Sequence, residues 1–349
     1  MKLPLSKNFI MKKYLSFFTF CVFSIISYSQ NLDYSVYHND INTAEQLYFM
    51  ENKVDSALYH YNNAFDEFDF IFVKDLLNAA QIAKFNDRPF ESYILKAFKY
   101  GLKISHLENY PILKDYFTKV KNDKSFKIQY EKGRKEYLKK INFDYLDLIY
   151  KLAIMDQLNK HNKTTQARYW QQVKKITDRI KDSIKTIGFP GDRLIGISDS
   201  TIFKEIGKPH LDLYEQRKKY DKLWYMTSDE KYLSTIYTFV IYVHNPCSYN
   251  FYEDHFKKEI LKGNIHPRDV ALLHDHVYTY RKDLRNGCGN SGKGFRLHQY
   301  ANYPDGLNKD KVNELRNEFF IIPIEVDIKK LEYEEKYKFN LFSGYYNCR

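Results

Sequence analysis

The sequence is poor in glycine, proline and cysteine. Its 349 residues include 13 glycines, nine prolines and four cysteines. A sandwich of many short strands needs a turn signal every few residues, so this scarcity argues against an all-β fold. The chain instead contains 32 tyrosines and 26 phenylalanines, and it is 44% hydrophobic and 28% charged. We therefore expect a globular, mainly α protein with an aromatic-rich core, loops and few short strands.

Long uncharged apolar runs are also scarce, but one lies near the N-terminus, from Tyr14 to Tyr28. Basic residues precede it, and small residues follow it where a signal peptidase reads the chain. Residues 1–29 therefore predict a signal peptide, with Gln30 as the mature N-terminus. The run is shorter than the roughly 20 residues of a spanning helix. We expect an exported protein, periplasmic or extracellular; an N-terminal membrane anchor that is never cut is the alternative.

No arginine-rich run accompanies the excess of lysine. The formal charge of +11 falls to +7 once residues 1–29, with four lysines and no acidic residue, are removed. The remaining lysines are spread along the chain and mixed with acidic residues. We interpret them as solvated surface and expect no nucleic-acid partner.

Small and aromatic residues recur at helical spacing in the first part of the mature chain. The pattern occurs twice, at Ala57, Tyr61 and Ala64 and, 36 residues later, at Tyr93, Ala97 and Tyr100. A period in the mid-thirties resembles tetratricopeptide-like repeats. Residues 30–125 therefore predict stacked helical hairpins, with an irregular helical bundle as the alternative. Stacked hairpins form concave surfaces, so we expect a protein or peptide partner to bind there.

Residues 126–349 predict a helical C-terminal domain. Apolar residues at steps of three and four predict one helix over 134–158. A second helix follows and ends at Gly188 and Pro190, which do not continue helices. Short connections then predict three antiparallel helices, at 231–244, 249–262 and 267–281.

The mature chain keeps three cysteines, Cys247, Cys288 and Cys348. An oxidising compartment favours one disulfide among them. The three-helix arrangement brings the end of its first helix near the end of its third, so we predict the pair Cys247–Cys288. The alternative is that Cys288, flanked by glycines, is an exposed thiol nucleophile.

Several residues occur in this chain in the same order as in a known protein family. These residues are Asp156, Gln157, Gly188, Pro190, His244, Asp275 and Arg316. The set is similar to that of a bacterial family classed as a domain of unknown function, whose members often carry a signal peptide and sometimes a helical-repeat N-terminus. The resemblance covers roughly residues 145–325. It implies a shared fold but no known activity.

The chain departs from this family at three places. Phe189 stands where the family usually has tryptophan, and His276 stands where it has arginine after the aspartate. Near His298 the chain also lacks the family's short Gly-Thr-Gln motif. The departures at His276 and near His298 leave it open whether a conserved site of the family is kept in this chain.

Six of the 11 histidines lie between His244 and His298. His244, Asp275, His276 and His298 are chemically suited to bind zinc or iron. His274 shares a face with apolar residues and is predicted to be a core histidine. No helical His-x3-His or His-Glu-x-x-His spacing supports a metal site, and no Gly-x-Ser-x-Gly elbow supports a serine nucleophile.

A buried Asp–His pair that orients the end of the bundle explains the histidines as well. We therefore expect a non-catalytic protein- or peptide-binding module of the cell envelope, without a cofactor. The alternative is a metal-assisted hydrolase that uses His244, Asp275, His276 and His298.

Overall fold

The described parts of the chain fold into helices, most of them joined by short loops. The computed structural model describes residues 33–161, 166–199, 201–208, 232–245, 247–280 and 308–342. Side chains are described in these ranges except at 159–161, 166–167, 249–253 and 275–280. No strand occurs within the described ranges, and the predicted mainly α fold is confirmed. Residues 1–29, predicted as a signal peptide, lie outside them. No described helix has the length and apolarity needed to cross a bilayer.

The first part of the chain forms two helical hairpins. Their helices are α1 (Tyr34–Phe49), α2 (Val54–Glu67), α3 (Val73–Phe85) and α4 (Glu91–Phe98). The hairpins stack, since side-chain hydrogen bonds join residues 31 to 38 positions apart, such as Tyr37 to Asp75 and Tyr93 to Asn62. The small residues of the predicted pattern are buried between the helices. The more specific resemblance to tetratricopeptide repeats remains a prediction.

The single helix predicted over 134–158 is wrong, because the chain breaks at Ile141 and Asn142. After two short 3₁₀ segments, Ile104–Asn109 and Pro111–Leu113, the structure has α5 (Lys114–Val120), α6 (Lys124–Lys140) and α7 (Phe143–His161). The side-chain oxygen of Asn142 accepts a hydrogen bond from the backbone N–H of Tyr145 at 3.0 Å. An asparagine in this position starts a helix, which explains the break.

The C-terminal half is organised around α7, whose buried face includes Ile149 and Leu152. It packs against α8 (Gln166–Ile187) and α11 (Ile236–His244), and α11 contacts α12 (Ser248–Leu261) and α13 (Pro267–Tyr280). The three antiparallel neighbours predicted from sequence are these last three helices. Gly188 ends α8 with a φ of +110°, which agrees with the predicted end of this helix.

Short elements connect these helices. Two single-turn helices, α9 (Asp192–Ile195) and α10 (Ile202–Glu205), lie after the end of α8. The last two helices are α14 (Lys309–Glu318) and α15 (Ile324–Tyr337). The described residues from Tyr34 to Phe342 form one compact unit.

Buried ion pairs join the N-terminal hairpins to the last helices. Lys330 on α15 pairs with Glu45 on α1, and both side chains are buried. Arg268 on α13 lies 2.5 Å from Asp327 on α15 and 3.9 Å from Glu45. Arg316 on α14 also pairs with Asp327. We call these five residues the central ion network.

Further contacts cover the inner face of the hairpins. Asn42 on α1 donates to the carbonyl of Phe320, and Gln81 on α3 exchanges two hydrogen bonds with the backbone of Asn340. Lys74 on α3 pairs with Asp269 on α13, both buried. The face that was expected to present a concave binding surface is therefore packed against the C-terminal helices along α1 and α3.

The central ion network depends on Asp327, which two guanidinium groups share. We expect Asp327→Asn to lower the free energy of unfolding by about 3–5 kcal/mol, because it leaves buried positive charge without its partner. Glu332→Gln on the same helix removes an exposed ion pair with Lys329 and should cost less than about 1 kcal/mol. Urea unfolding followed by circular dichroism measures both. Equal stability of the two variants would contradict the central role of this network.

Candidate functional site

A buried histidine and aspartate meet where α11 and α7 end. Nδ1 of His244 lies 2.5 Å from Oδ2 of Asp156, and both residues are at most 1% exposed. A carboxylate only accepts hydrogen bonds, so Nδ1 donates. This bond holds the imidazole in one orientation and joins two residues that lie 88 positions apart in sequence.

The carboxylate of Asp156 accepts two more hydrogen bonds. The Tyr169 hydroxyl donates to it at 3.2 Å, and Nε2 of the neighbouring Gln157 donates at 3.1 Å. Oε1 of Gln157 is buried, and it has no hydrogen-bond partner among the described residues. We call Asp156, Gln157, Tyr169 and His244 the Asp–His cluster.

The residue after His244 fixes the same end of α11. The side chain of Asn245 donates to the Thr177 hydroxyl on α8 at 3.0 Å, and its oxygen accepts from the backbone N–H of Cys247. The end of α11 is therefore bound to both α7 and α8. The Asp–His pair provides the attachment to α7, which is a structural role.

The cluster also has a chemical capacity. With Nδ1 donating to Asp156, the lone pair of a neutral His244 imidazole is on Nε2. Histidines that bind a metal commonly donate their other ring N–H to a carboxylate in this way, and histidines in acid–base catalysis are oriented similarly. The geometry is compatible with a structural and with a chemical role.

The other predicted ligands fall where their side chains are not described. Asp275 and His276 lie on α13, and His298 lies outside the described residues. Within the described part of the chain, no three His, Cys, Asp or Glu side chains are grouped so that they could hold a metal ion. His274, predicted as a core histidine, is buried at 3% exposure.

The family-like residues do not all meet at one place. Gly188 and Pro190 position the end of α8, where the carbonyl of Pro190 accepts from Thr238 on α11 at 2.7 Å. Arg316 instead belongs to the central ion network and also donates from Nε to the carbonyl of Ile322. Its role in the structure is to hold α14 against α15.

Cys247 stands just before α12 and is disulfide-bonded. The other cysteines, including Cys288, lie outside the described residues. The pairing of Cys247 with Cys288 therefore stays a prediction, as does a free thiol at Cys288.

A small polar cavity lies between the hairpins and α13. Its volume is about 20 Å³, and its polar lining consists of His38, Asn42, Glu45, Asp75, His266 and Arg268. This volume suits a single water molecule, whereas small-molecule sites measure roughly 300–1,000 Å³. The cavity is part of the packing between the hairpins and α13 and is too small for a substrate.

Asp75 at this cavity is held in its charged form. Burial raises its pKa, but His266 and the hydroxyl of Tyr37 outweigh this effect and bring the pKa below its usual value. The Tyr37 hydroxyl donates at 2.7 Å. Nδ1 of His266 accepts from the N–H of Arg268, so its Nε2, 3.3 Å from Asp75, is the donor in this contact.

Asp192 on α9 has the opposite shift. Burial and the nearby charge of Asp269 raise its pKa to about 8, although Lys74 and the backbone N–H of Thr235 oppose this rise. That N–H donates to Asp192 at 2.7 Å. The group therefore binds a proton in the folded protein over a pH range in which the unfolded chain has lost it.

An open groove lies along α6. Its volume is about 590 Å³, and it is lined by Tyr130, Glu131, Arg134, Lys135, Leu138, Lys139, Phe143 and Glu205. Leu138 and Phe143 are partly buried and pack against the hydrophobic core, so they form a fixed apolar floor. We call this feature the α6 groove.

Two features orient α6 beside the groove. Gly133 faces α4 so closely that an added Cβ would lie 2.8 Å from Cβ of Phe98. Next to it, the buried Arg134 donates to Glu205 at 2.8 and 3.0 Å and also pairs with Asp199. Within the described part of the chain, Nη1 of Arg134 has no hydrogen-bond partner. The inner face of α6 is thereby anchored, and its outer face carries exposed lysines.

Sequence reasoning missed the partner of His244 and the whole α6 groove. Asp156 belongs to the family-like set of residues, but no local pattern links it to His244. The basic composition of α6 was a usable signal, which the even spread of lysine along the chain obscured.

The pKa of Asp192 leads to a test. Between about pH 4 and pH 8 the folded protein keeps a proton that the unfolded chain loses, so this group lowers the stability of the wild type as pH rises. Asp192→Asn keeps an oxygen for the N–H of Thr235 and removes the titration. As pH rises through this range, the free energy of unfolding of Asp192→Asn should therefore increase relative to that of the wild type by up to about 1.4 kcal/mol per pH unit.

Urea unfolding at several pH values between these limits measures the difference. Asp115→Asn, at an exposed position of α5, is the control and should follow the wild-type pH dependence. Parallel curves for the wild type and Asp192→Asn would show that Asp192 is ionised in the folded protein.

Comparison with known proteins gives no relative: no family model, curated protein or solved structure matches this chain.

Proposed function

We propose that the protein is an exported, non-catalytic module that binds a segment of a partner protein in the α6 groove. The observation that carries this proposal is an open groove of about 590 Å³ whose floor contains Tyr130, Leu138 and Phe143. Its volume lies in the range of ligand-binding clefts. Export rests on the predicted signal peptide at residues 1–29.

The floor of the groove is suited to a peptide. Leu138 and Phe143 are anchored in the core on one side, so the apolar surface exists before a partner arrives. A preformed surface lowers the ordering cost of binding. Helical segments that bind in grooves use apolar side chains spaced three and four residues apart, and these would lie along α6.

The groove replaces the hairpins as the proposed binding surface. Residues 30–125 were expected to bind the partner through a concave face, but α1 and α3 pack against α12, α13 and α15. The residues of α3 from Val73 to Ala83 are all buried. A partner that used this face would have to displace buried ion pairs.

A selection experiment tests the proposal. The mature chain is expected to enrich peptides with spaced apolar residues from a displayed random library. Selected peptides, labelled with a fluorophore, should bind Leu138→Ser about tenfold more weakly in fluorescence anisotropy, because the substitution removes part of the floor. A tenfold loss corresponds to about 1.4 kcal/mol.

Ile128→Ser is the matched control, because Ile128 is 57% exposed on the same helix and outside the groove lining. Its affinity should equal that of the wild type, and circular dichroism checks the fold of both variants. Failure to enrich any peptide, or equal losses in the two variants, would overturn the proposal.

The Asp–His cluster favours a second candidate, the metal-assisted hydrolase. Asp156 holds Nδ1 of His244, which is the arrangement common behind a metal-binding Nε2. Asp275, His276 and His298 would complete a zinc or iron site. This candidate places its chemistry at the end of α11.

Metal analysis separates the two candidates. If His244 binds metal, plasma mass spectrometry of protein prepared with zinc and iron should find about one ion per chain, lost in His244→Ala. His60→Ala is the control, because His60 forms a pair of similar geometry with Asp40 at 2.8 Å, where both side chains are half-buried. Metal content that is negligible, or unchanged in His244→Ala, would remove the hydrolase candidate.

A further inference from the structure

The helix α6 carries a high concentration of positive charge. The 17 residues of this helix include seven basic and two acidic side chains. The basic residues are Lys124, Lys127, Lys132, Arg134, Lys135, Lys139 and Lys140, and the acidic residues are Glu131 and Glu136. The chain has an excess of lysine throughout, but here the excess lies on one helix.

Burial separates these charges into two groups. Arg134 is buried, and Asp199 and Glu205 compensate its charge. The six lysines are exposed. Glu136 pairs at 3.3 Å with Lys99, the residue that follows α4, so it does little to offset the lysines of α6. The surface that a partner meets therefore keeps the positive charge of the helix in its six exposed lysines.

Two of these lysines border the α6 groove. Lys135 and Lys139 line it, one helical turn apart, so they lie on the same face of the helix. Leu138 stands between them in sequence and forms part of the floor. Positive charge along the edge and apolar surface within the groove are thus combined in one place.

We infer that the segment bound in the α6 groove, on the function proposed above, is an acidic amphipathic peptide. Its apolar side chains fill the floor at Leu138 and Phe143, and its carboxylates pair with Lys135 and Lys139. Carboxylates spaced four residues apart on a helical segment match the spacing of the two lysines.

The same groove disfavours other anionic partners. The exposed carboxylate of Glu131 also lines it and would repel the continuous phosphate charge of a nucleic acid. A membrane surface is bound by apolar side chains that protrude into the bilayer, whereas Leu138 and Phe143 are partly buried in a concavity. A peptide can place apolar groups and separate carboxylates individually.

Three synthetic helical peptides of about four turns test the inference. They share one apolar leucine face and carry glutamate, glutamine or lysine at every polar position. Fluorescence anisotropy with the mature chain at about 0.05 M NaCl should give the glutamate peptide at least about tenfold tighter binding than the glutamine peptide. This advantage should largely disappear at about 0.5 M NaCl, where screening is strong.

Charge reversal locates the effect. The double variant Lys135→Glu and Lys139→Glu should lose the preference for the glutamate peptide but keep its binding of the glutamine peptide. The control Lys174→Glu and Lys185→Glu changes the net charge equally at exposed positions of α8 and should keep the preference. Circular dichroism verifies that all variants are folded.

The outcomes separate this inference from the proposed function. Equal binding of the glutamate and glutamine peptides, lost in Leu138→Ser, would overturn the acidic partner and leave the groove proposal standing. No binding of any peptide would overturn both. Binding to anionic phosphatidylglycerol vesicles, but to no peptide, would show that the basic face serves a membrane surface and would overturn the inference.

Discussion

The structure depends on a set of charged side chains buried between its first and last helices. Glu45 on α1 meets Lys330 and Arg268, and Asp327 binds Arg268 and Arg316. Charges are costly to bury and are tolerated only when paired with good geometry. This requirement allows few relative positions for α1, α13, α14 and α15, and it holds the hairpins against the C-terminal helices.

This arrangement determines which surfaces can act. The inner face of the hairpins is used for internal packing, and the small polar cavity beside it has room for only one water. Among the residues that the structure describes, two places remain with chemical or binding capacity. One is the Asp–His cluster at the end of α11, and the other is the α6 groove. They have different character, since the first is buried and polar and the second is open and largely apolar.

Local patterns predicted much of the helical layout correctly. The stripe ending at Ile187, the stop at Gly188 and the three short helices before Tyr280 all follow from residues within one or two turns of each other. The break at Asn142 was missed because the apolar periodicity continues through it. The capping bond from Tyr145 and the bond from the Asn142 N–H to the carbonyl of Leu194 decide against a continuous helix.

What the sequence by itself determined is the class of fold, the approximate helix positions and the identity of His244 as a residue of interest. These depend on the spacing of apolar side chains and on glycine and proline, which act over a few residues. Only the tertiary structure decided that His244 binds Asp156, that Lys330 binds Glu45 and that α6 borders a groove. The first two pairs are 88 and 285 residues apart, and contacts over such separations depend on how helices pack, which no local pattern encodes.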